Sequence, residues 1–263
     1  MPEIDQMLAT REGAIGWITF NNPARRNAVS FAMWQALAEM VRSYAEDASV
    51  RAIVLRGAGE EAFVSGADIS EFEEKRSSAE TTAAYNRAAE EATAALERTE
   101  KPTLAMIRGY CIGGGVSIAL CCDLRFAAEG AKLGVPAARL GLGYGFEGVR
   151  RLVGVVGPSY AKEIFYTARH FSAAEALAMG LVNGVVADAD LEAAVRRCAR
   201  MIAENAPLTL ASIKLLVDEA MKDPQARDLE RCEASVRRCF ASEDYIEGRR
   251  AFMEKRKPNF IGR

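Results

Sequence analysis

The stretch KPTLAMIRGYCIGGGVSIALCCDLRFA, residues 101–127, decides the fold. Its apolar run at residues 103–107 predicts a buried strand. A triple glycine follows, and the small and apolar side chains of residues 116–122 then predict a tightly packed helix that leads into another strand. The segment therefore predicts a strand, a glycine loop, a helix and a strand in direct succession.

The triple glycine at residues 113–115 lies where this helix is predicted to begin. Without a Cβ the backbone approaches a ligand closely, and the first amides of a helix have no partner inside it. A helix N-terminus also carries partial positive charge, which stabilises an oxyanion or a phosphate. Close packing of the helix would require the same glycines, so the run alone leaves an anion site and a packing role both open.

The chain upstream predicts a unit of strand, helix and strand. Residues 14–20 form a strand pattern that ends at an Asn-Asn-Pro turn, and Ser30 is placed to cap a helix that runs to about residue 48. Residues 52–55 are the short, continuous apolar run of a strand buried on both faces. The apolar positions of the helix recur at helical spacing: Phe31, Trp34, Leu37, Val41 and Tyr44.

The segment FVSGADISEF, residues 63–72, predicts a second place where backbone amides have no partner. Asp68 and Glu71 are candidate bases there, although the helix dipole alone favours acidic residues in a first helical turn. An alanine-rich helix is predicted to follow from residue 77 to residue 99. The remaining chain shows helical spacing to residue 252, with breaks at 157–158, 205–207 and 223–224 and one short strand within 181–186.

Composition excludes several classes of protein. The 263 residues are half apolar, which suffices for a large core, and a net charge of −2 gives no general attraction to nucleic acid or anionic membrane. The six cysteines lack C-x-x-C spacing, which indicates reduced thiols in a cytosol-like compartment. No leader or membrane-spanning run is apparent, and a single histidine, His170, excludes histidine dyads and metal clusters.

Three motifs together resemble the crotonase superfamily, also called the enoyl-CoA hydratase/isomerase family. They are FVSGADISEF, the segment from RGYCIGGG to LGLGYG, and FSAAEALAMGLVNGVV. The resemblance implies an α/β fold in which ββα repeats form a spiral with two roughly perpendicular sheets. It also implies a spiral core over residues 1–200, a helical trimerisation region over 201–263, and a homotrimer or homohexamer.

The resemblance implies an acyl-CoA thioester as substrate and no separate cofactor. By motif position, the amides of Ala67 and Gly114 would bind the thioester oxygen. That role agrees with the residues themselves, because two fixed amides stabilise the negative charge of a thioester enolate. The resemblance places CoA against the following residues, of which the last two would belong to a neighbouring subunit: Arg26, Ala28, Ser65, Asp68, Ile69, Phe252 and Lys255.

The chain departs from the family where its hydratases carry two glutamates that activate a water. Those positions hold Ser117 and Ala137, neither of which can act as a carboxylate base, and a positioned general base contributes about 10²–10⁴-fold in rate. Hydration by two glutamates is therefore not expected. The loop LGLGYGFEG supplies Tyr144 and Glu147, with Arg139 just before it, as alternative groups.

Decarboxylase-like or other non-hydratase chemistry is what the sequence favours instead. The C-terminal segment SEDYIEGRRAFMEKRKPNF is similar to that of methylmalonyl-CoA decarboxylases, and loss of carbon dioxide yields the enolate without a base. Those enzymes can carry histidine at the position of Ala67, whereas His170 fits a surface role at a helix start. A hydratase with a different carboxylate and a catalytically silent acyl-CoA-binding protein are the alternatives. An RNA-binding role has no basic, aromatic-lined stripe to support it.

Overall fold

A computed structural model describes residues 4–68 and 79–263 of the chain. In this part of the chain a six-stranded sheet has the order β1-β2-β3-β5-β7-β10, and a four-stranded sheet has the order β4-β6-β8-β9. The strands are β1 Met7–Glu12, β2 Ile15–Phe20, β3 Ala52–Gly57, β4 Ala62–Val64, β5 Thr103–Ile107, β6 Tyr110–Ile112, β7 Leu124–Ala128, β8 Lys132–Gly134, β9 Phe171–Ser172 and β10 Gly184–Val186.

Helices connect these strands and form the C-terminal region. The α-helices are α1 Phe31–Glu46, α2 Ala79–Arg98, α3 Gly114–Leu120, α4 Phe146–Thr167, α5 Ala173–Ala178, α6 Leu191–Ala203, α7 Pro207–Ala220, α8 Leu229–Phe240 and α9 Glu243–Met253. Helix α4 is interrupted at Gly157, whose φ of 73° is not helical and which precedes Pro158. The predicted break at 157–158 is thus confirmed. The helix predicted over 116–122 begins earlier, at Gly114.

The order of strands along the chain confirms the spiral of ββα repeats. Strands β3, β5 and β7 lie side by side and parallel in the larger sheet, whereas β4, β6 and β8 are parallel neighbours in the smaller one. Each repeat therefore places its first strand in one sheet and its second in the other, and a helix follows. The predicted unit of β2, α1 and β3 is also present, with parallel strands.

The larger sheet is buried on both faces, as the apolar run at residues 52–55 predicts. Side chains alternate between the faces of a strand, so Ile53 and Leu55 join the main core while Ala52 and Val54 join a second apolar cluster. That second cluster contains Leu191, Val195 and Ala199 of α6, which covers the outer face of the sheet. The continuous apolar strand therefore fits a three-layered arrangement.

Helix α1 begins as the sequence predicts. The side chain of Ser30 accepts a hydrogen bond from the Met33 amide at 3.3 Å, and this satisfies one of the helix's first amides. The helix ends two residues before the predicted limit. There Lys101, just before β5, donates from Nζ to the carbonyl oxygens of Tyr44 and Asp47. This lysine ties the end of α1 to the central segment.

The C-terminal helices contact the spiral core at a few polar points. Lys214 of α7 donates to Asp123 at 3.0 Å, and the Arg51 guanidinium donates to the Phe260 carbonyl. The division at residue 200 into a core and a helical region stays a prediction. Among the described residues, no helix is both long and apolar enough to cross a membrane.

Candidate active site

Two loops meet at one edge of the smaller sheet. Residues 65–68 follow β4, and the triple glycine follows β6, the parallel neighbour of β4. Because the carboxyl ends of parallel strands lie at the same edge, the two loops are adjacent. A Cβ placed on Gly114 would lie 3.6 Å from the amide nitrogen of Ala67. The structure therefore brings together the two residues that the sequence assigns to a thioester oxygen.

The local structure explains the glycine at each of these three positions in a different way. A Cβ on Gly115 would lie 2.2 Å from the carbonyl oxygen of Val64, so this glycine is required for packing of α3 against β4. Gly113 has a φ of 53° and caps the helix, a conformation that disfavours residues with a Cβ. At Gly114 the nearest atoms would be 3.6 Å away, an ordinary contact distance. Packing therefore does not require Gly114, but a side chain there would narrow the gap to Ala67.

The Ala67 amide is kept available by the way its neighbours are bonded. Residues 66–68 run alongside Val29, whose amide donates to the Gly66 carbonyl at 2.8 Å and whose carbonyl accepts from the Asp68 amide at 2.9 Å. Successive amides of an extended chain point to opposite sides, so the Ala67 amide faces away from Val29. Within residues 4–68 and 79–263, the Ala67 and Gly114 amides have no hydrogen-bond acceptor.

Asp68 is paired rather than available as a base. Nη1 of Arg25 donates to both of its carboxylate oxygens, at 3.0 and 2.9 Å, and Asp68 is 7% exposed. This ion pair holds the loop that carries Ala67 against the segment before α1. Ile69 and Glu71 lie outside the described residues.

The described residues that are predicted to contact CoA lie on two adjacent segments, which together form one wall of the candidate site. These residues are Arg26, Ala28 and Ser65. The Ser65 amide donates to the Arg26 carbonyl at 3.1 Å, and the Ala28 amide donates to the Arg25 carbonyl at 3.0 Å. Arg26 extends from this wall, where its Nε donates to Glu61 at 3.1 Å and its guanidinium lies 5.2 Å from the Tyr110 ring centre.

Asn27 organises this wall, although the sequence analysis does not single it out. It is fully buried with a φ of 55°, a conformation that asparagine tolerates better than most residues. Its Nδ2 donates to the carbonyls of Ala62 and Ala58 at 2.7 and 3.0 Å, and its Oδ1 accepts from the Asn22 amide at 2.9 Å. In the sequence, the feature that could have indicated this role of Asn27 is the run of two arginines and an asparagine after a proline.

Tyr144 and Ser117 are brought together near the oxyanion loops. Ser117 lies one helical turn beyond Gly114 on α3, and its side chain is close enough to the Tyr144 phenol to lower the pKa of that group. The Tyr144 ring packs edge-on against Phe165 at 4.9 Å between ring centres. A Cβ on Gly148 would lie 2.6 Å from that ring, so glycine is needed there.

Burial raises the pKa of Tyr144, and the Ser117 hydroxyl only partly opposes that shift. A phenol that ordinarily titrates near pH 10 is therefore neutral at pH 7 and available as a proton donor. Ala137, the other position at which the resemblance implies a glutamate in hydratases, is buried at the start of a short 3-10 helix. It offers no polar group to this cluster.

The remaining predicted residues lie farther from the cluster or contact other groups. Glu147 is in the first turn of α4, mostly exposed, with Arg150 donating to it at 2.8 Å. Phe252 lies in the last turn of α9 and is 82% exposed, and Lys255 lies just beyond the helix. No described contact joins either residue to the oxyanion loops. Their role stays a prediction that requires a second chain.

The cysteines and other polar residues supply no further chemistry at the site. Cys111, Cys121 and Cys122 are buried, and burial raises the pKa of each thiol, which keeps it protonated and unreactive at neutral pH. Among the described residues, no group of three or more His, Cys, Asp or Glu side chains is arranged to hold a metal ion.

Comparison with known proteins places this fold and loop arrangement in a family. The enoyl-CoA hydratase/isomerase family model matches residues 10–263. A short-chain-enoyl-CoA hydratase of Clostridium acetobutylicum is 34% identical over 255 residues, covering 97% of each chain. The crystal structure of an enoyl-CoA hydratase/carnithine racemase from Magnetospirillum magneticum superposes with a TM-score of 0.94 at 37% identity, covering 99% of this chain and 97% of that one.

A crystal structure of an enoyl-CoA hydratase from Bacillus anthracis agrees with this result, with a TM-score of 0.92 at 31% identity over 98% of this chain. The chain belongs to the enoyl-CoA hydratase/isomerase family, within the crotonase superfamily. The family that the three motifs resemble is therefore confirmed, as is the crotonase fold.

Proposed function

We propose that this protein binds an acyl-CoA thioester and stabilises its enolate between the amides of Ala67 and Gly114. The observation that carries the proposal is the pair of amides on adjacent loops, neither of which has a hydrogen-bond acceptor among the residues that the structure describes. Preorganised amides of this kind stabilise developing charge without reorganising, and one such donor is worth about 3–4 kcal/mol of barrier height.

We further propose that the reaction is decarboxylation of a malonyl-type thioester. The bond between the α-carbon and the carboxylate breaks, its electron pair enters the thioester enolate, and carbon dioxide leaves. The enolate oxygen accepts hydrogen bonds from Ala67 and Gly114. Tyr144 then transfers its phenolic proton to the α-carbon, and solvent returns a proton to the phenolate. The neutral, partly buried phenol near Ser117 supports this role.

The absence of glutamate at positions 117 and 137 argues against rapid hydration. A serine hydroxyl can hold a water but has no basicity near neutral pH, and alanine contributes no polar group. Asp68 does not replace them, because Arg25 engages both of its oxygens. Residual hydration is still expected, since binding and an oxyanion hole alone leave some catalysis.

Enoyl-CoA hydration is the second candidate, because relatives at 34% identity over nearly the whole chain are named as hydratases. It requires a carboxylate elsewhere, and Glu147 is the first to test. Glu147 is mostly exposed in the first turn of α4, and its described contact is with Arg150 rather than with Ser117. The geometry therefore supports this candidate less well than proton donation by Tyr144.

Turnover of a panel of CoA esters tests the proposal. We expect malonyl-CoA or methylmalonyl-CoA to lose carbon dioxide faster than crotonyl-CoA gains water. The double substitution Ser117→Glu with Ala137→Glu should raise crotonyl-CoA hydration, because it restores both carboxylates. Crotonyl-CoA hydration as fast as that of a two-glutamate enzyme would favour the second candidate. Binding without turnover of any ester would indicate a catalytically silent protein.

A further inference from the structure

A hydrogen-bonded pair of aromatic side chains lies beside both oxyanion loops. Trp34 of α1 donates from Nε1 to the hydroxyl of Tyr85 of α2 at 2.9 Å. Both residues are buried, with 3% and 2% of their surface exposed. The mechanism proposed above uses neither side chain, yet each has a polar group directed inside the protein.

The Tyr85 hydroxyl reaches the loop that carries Ala67. It donates to the Val29 carbonyl at 3.2 Å, and that same carbonyl accepts the Asp68 amide at 2.9 Å. The Val29 amide, in turn, donates to the Gly66 carbonyl at 2.8 Å. Tyr85 therefore bonds to the one residue that holds both neighbours of Ala67.

The indole of Trp34 reaches the other loop. A Cβ placed on Gly114 would lie 3.6 Å from Cζ2 of this ring, the same distance as from the Ala67 amide nitrogen. The ring therefore borders the gap between the two amides from the side of the triple glycine. Through one hydrogen bond, the aromatic pair connects the segment that orients Ala67 with the segment that carries Gly114.

We infer that Tyr85 is a positioning residue that fixes the separation of the Ala67 and Gly114 amides. The inference rests on the proposed oxyanion role of those amides. Donors to an oxyanion act at 2.7–3.1 Å, and a misplacement of about 1 Å can cost about 10²-fold in rate. Removing the Tyr85 hydroxyl leaves Val29 without this donor and the buried Trp34 Nε1–H without its acceptor. Each loss favours movement of the loops.

The test measures how strongly the site polarises a carbonyl group. Acetyl-CoA labelled with ¹³C at the thioester carbonyl is bound to the whole protein, and its carbonyl stretch is followed by infrared spectroscopy. We expect a shift to lower frequency in the wild type and a clearly smaller shift in Tyr85→Phe. Turnover of the substrate found in the ester panel should fall about tenfold in kcat with little change in KM.

Tyr44→Phe is the matched control. Tyr44 is 1% exposed, and its hydroxyl donates to the Thr10 carbonyl at 2.7 Å, so this variant also removes a buried tyrosine hydroxyl bonded to backbone. The carbonyl shift should match that of the wild type. Trp34→Phe is a second variant, needed if Tyr85→Phe does not fold. It removes the Nε1–H and shortens the ring beside Gly114, and it should also reduce the shift.

The outcomes separate this inference from the function on which it rests. A wild-type protein that leaves the carbonyl frequency unshifted, or does not bind acetyl-CoA, overturns the proposed oxyanion role itself. A shift that is equal in the wild type and in Tyr85→Phe overturns the positioning role and leaves the oxyanion role standing. A loss of shift in Tyr44→Phe as large as that in Tyr85→Phe would indicate general loosening and would also overturn the positioning role.

Discussion

At the scale of single residues, the environment of Tyr144 determines which proton transfers it can perform. Burial raises the pKa of the phenol above its ordinary value of about 10. The neutral acid is therefore the form present at physiological pH, and the phenolate is not available as a base. This electrostatic consequence depends on the packing of Phe165 and Gly148 around the ring.

Substituting phenylalanine for Tyr144 should reduce kcat for decarboxylation about a hundredfold with little change in KM, because the ring is kept and only the proton donor is lost. The acid is the active form, so the rate should decline only as pH rises through a pKa above about 10, and the wild-type profile should stay flat from pH 7 to about pH 9.5. Steady-state rates across that range provide the measurement. Tyr160→Phe, at an exposed tyrosine of α4, the helix that follows the Tyr144 loop, is the control. A decline near neutral pH would contradict the assignment.

Gly115 has a purely steric role that can be tested separately. A Cβ there would lie 2.2 Å from the Val64 carbonyl oxygen, whereas nothing lies within 4 Å of a Cβ on Gly143. Gly115→Ala should lower the free energy of unfolding by about 1–3 kcal/mol through overpacking, and should lower activity as α3 shifts. Gly143→Ala should change stability by less than about 0.5 kcal/mol. Denaturant titrations of the two variants would contradict this if their midpoints agreed.

At the scale of elements, the sequence predicts the strands and helices whose own apolar pattern is enough to identify them. Strand β5 has the predicted bounds, and α1 has both its predicted cap and its buried face. The three-residue strands β6 and β8 escape prediction because each is too short to show a period and is stabilised mainly by pairing with its neighbours. Their lengths are fixed by tertiary contacts rather than by local propensity.

The residues of the candidate site also divide into those that the sequence identifies and those that only the folded chain brings together. Ala67 and Gly114 are identified through the family resemblance, because the role proposed for them belongs to backbone amides in glycine-containing motifs that the sequence displays. The pair of Trp34 and Tyr85 is not identifiable, because residues 51 positions apart meet only in the folded chain. From the sequence, Trp34 is one apolar position of an amphipathic helix, and nothing indicates which donor or acceptor its indole will find.

An ion pair between α2 and α4 fixes the first turns of α4, the helix that follows the loop containing Tyr144. Arg151 donates to both oxygens of Glu97, from Nη2 at 2.8 Å and from Nε, and their side chains are 15% and 34% exposed. The adjacent pair of Arg150 and Glu147 is 53% and 60% exposed. Solvent screening weakens the second pair far more than the first.

Arg151→Ala should therefore lower the free energy of unfolding by about 2 kcal/mol, since it leaves a half-buried carboxylate without its partner. Arg150→Ala should cost less than about 0.5 kcal/mol. Urea denaturation measures both, at one protein concentration, so that the expected assembly would contribute equally to the two values. Equal losses of unfolding free energy in the two variants would show that burial does not distinguish the two ion pairs.

At the scale of the whole molecule, the C-terminal helices expose several large apolar side chains. Large apolar side chains more than half exposed on α7, α8 and α9 are Ile213, Val217, Leu229, Phe240, Ile246, Phe252 and Met253. Exposed apolar surface of this extent marks an interaction site more often than a solvated face. Assembly through these helices is therefore expected, in agreement with the trimer or hexamer that the sequence resemblance implies.

Sedimentation velocity should show three or six chains of 28.5 kDa each. If a neighbour's Phe252 and Lys255 contact CoA, Phe252→Ala with Lys255→Ala should raise the Kd for CoA. The sedimentation coefficient should stay that of the oligomer, because the other exposed apolar residues of α7, α8 and α9 remain. These substitutions are preferable to truncation before Phe252, because the Ile261 and Gly262 amides donate to the buried Asp244 carboxylate and truncation would leave it unbonded. Met201→Ala, at an exposed apolar residue of α6, should leave CoA affinity unaltered. A monomer in solution would contradict the assembly, whereas an unchanged Kd in an intact oligomer would remove Phe252 and Lys255 from the site.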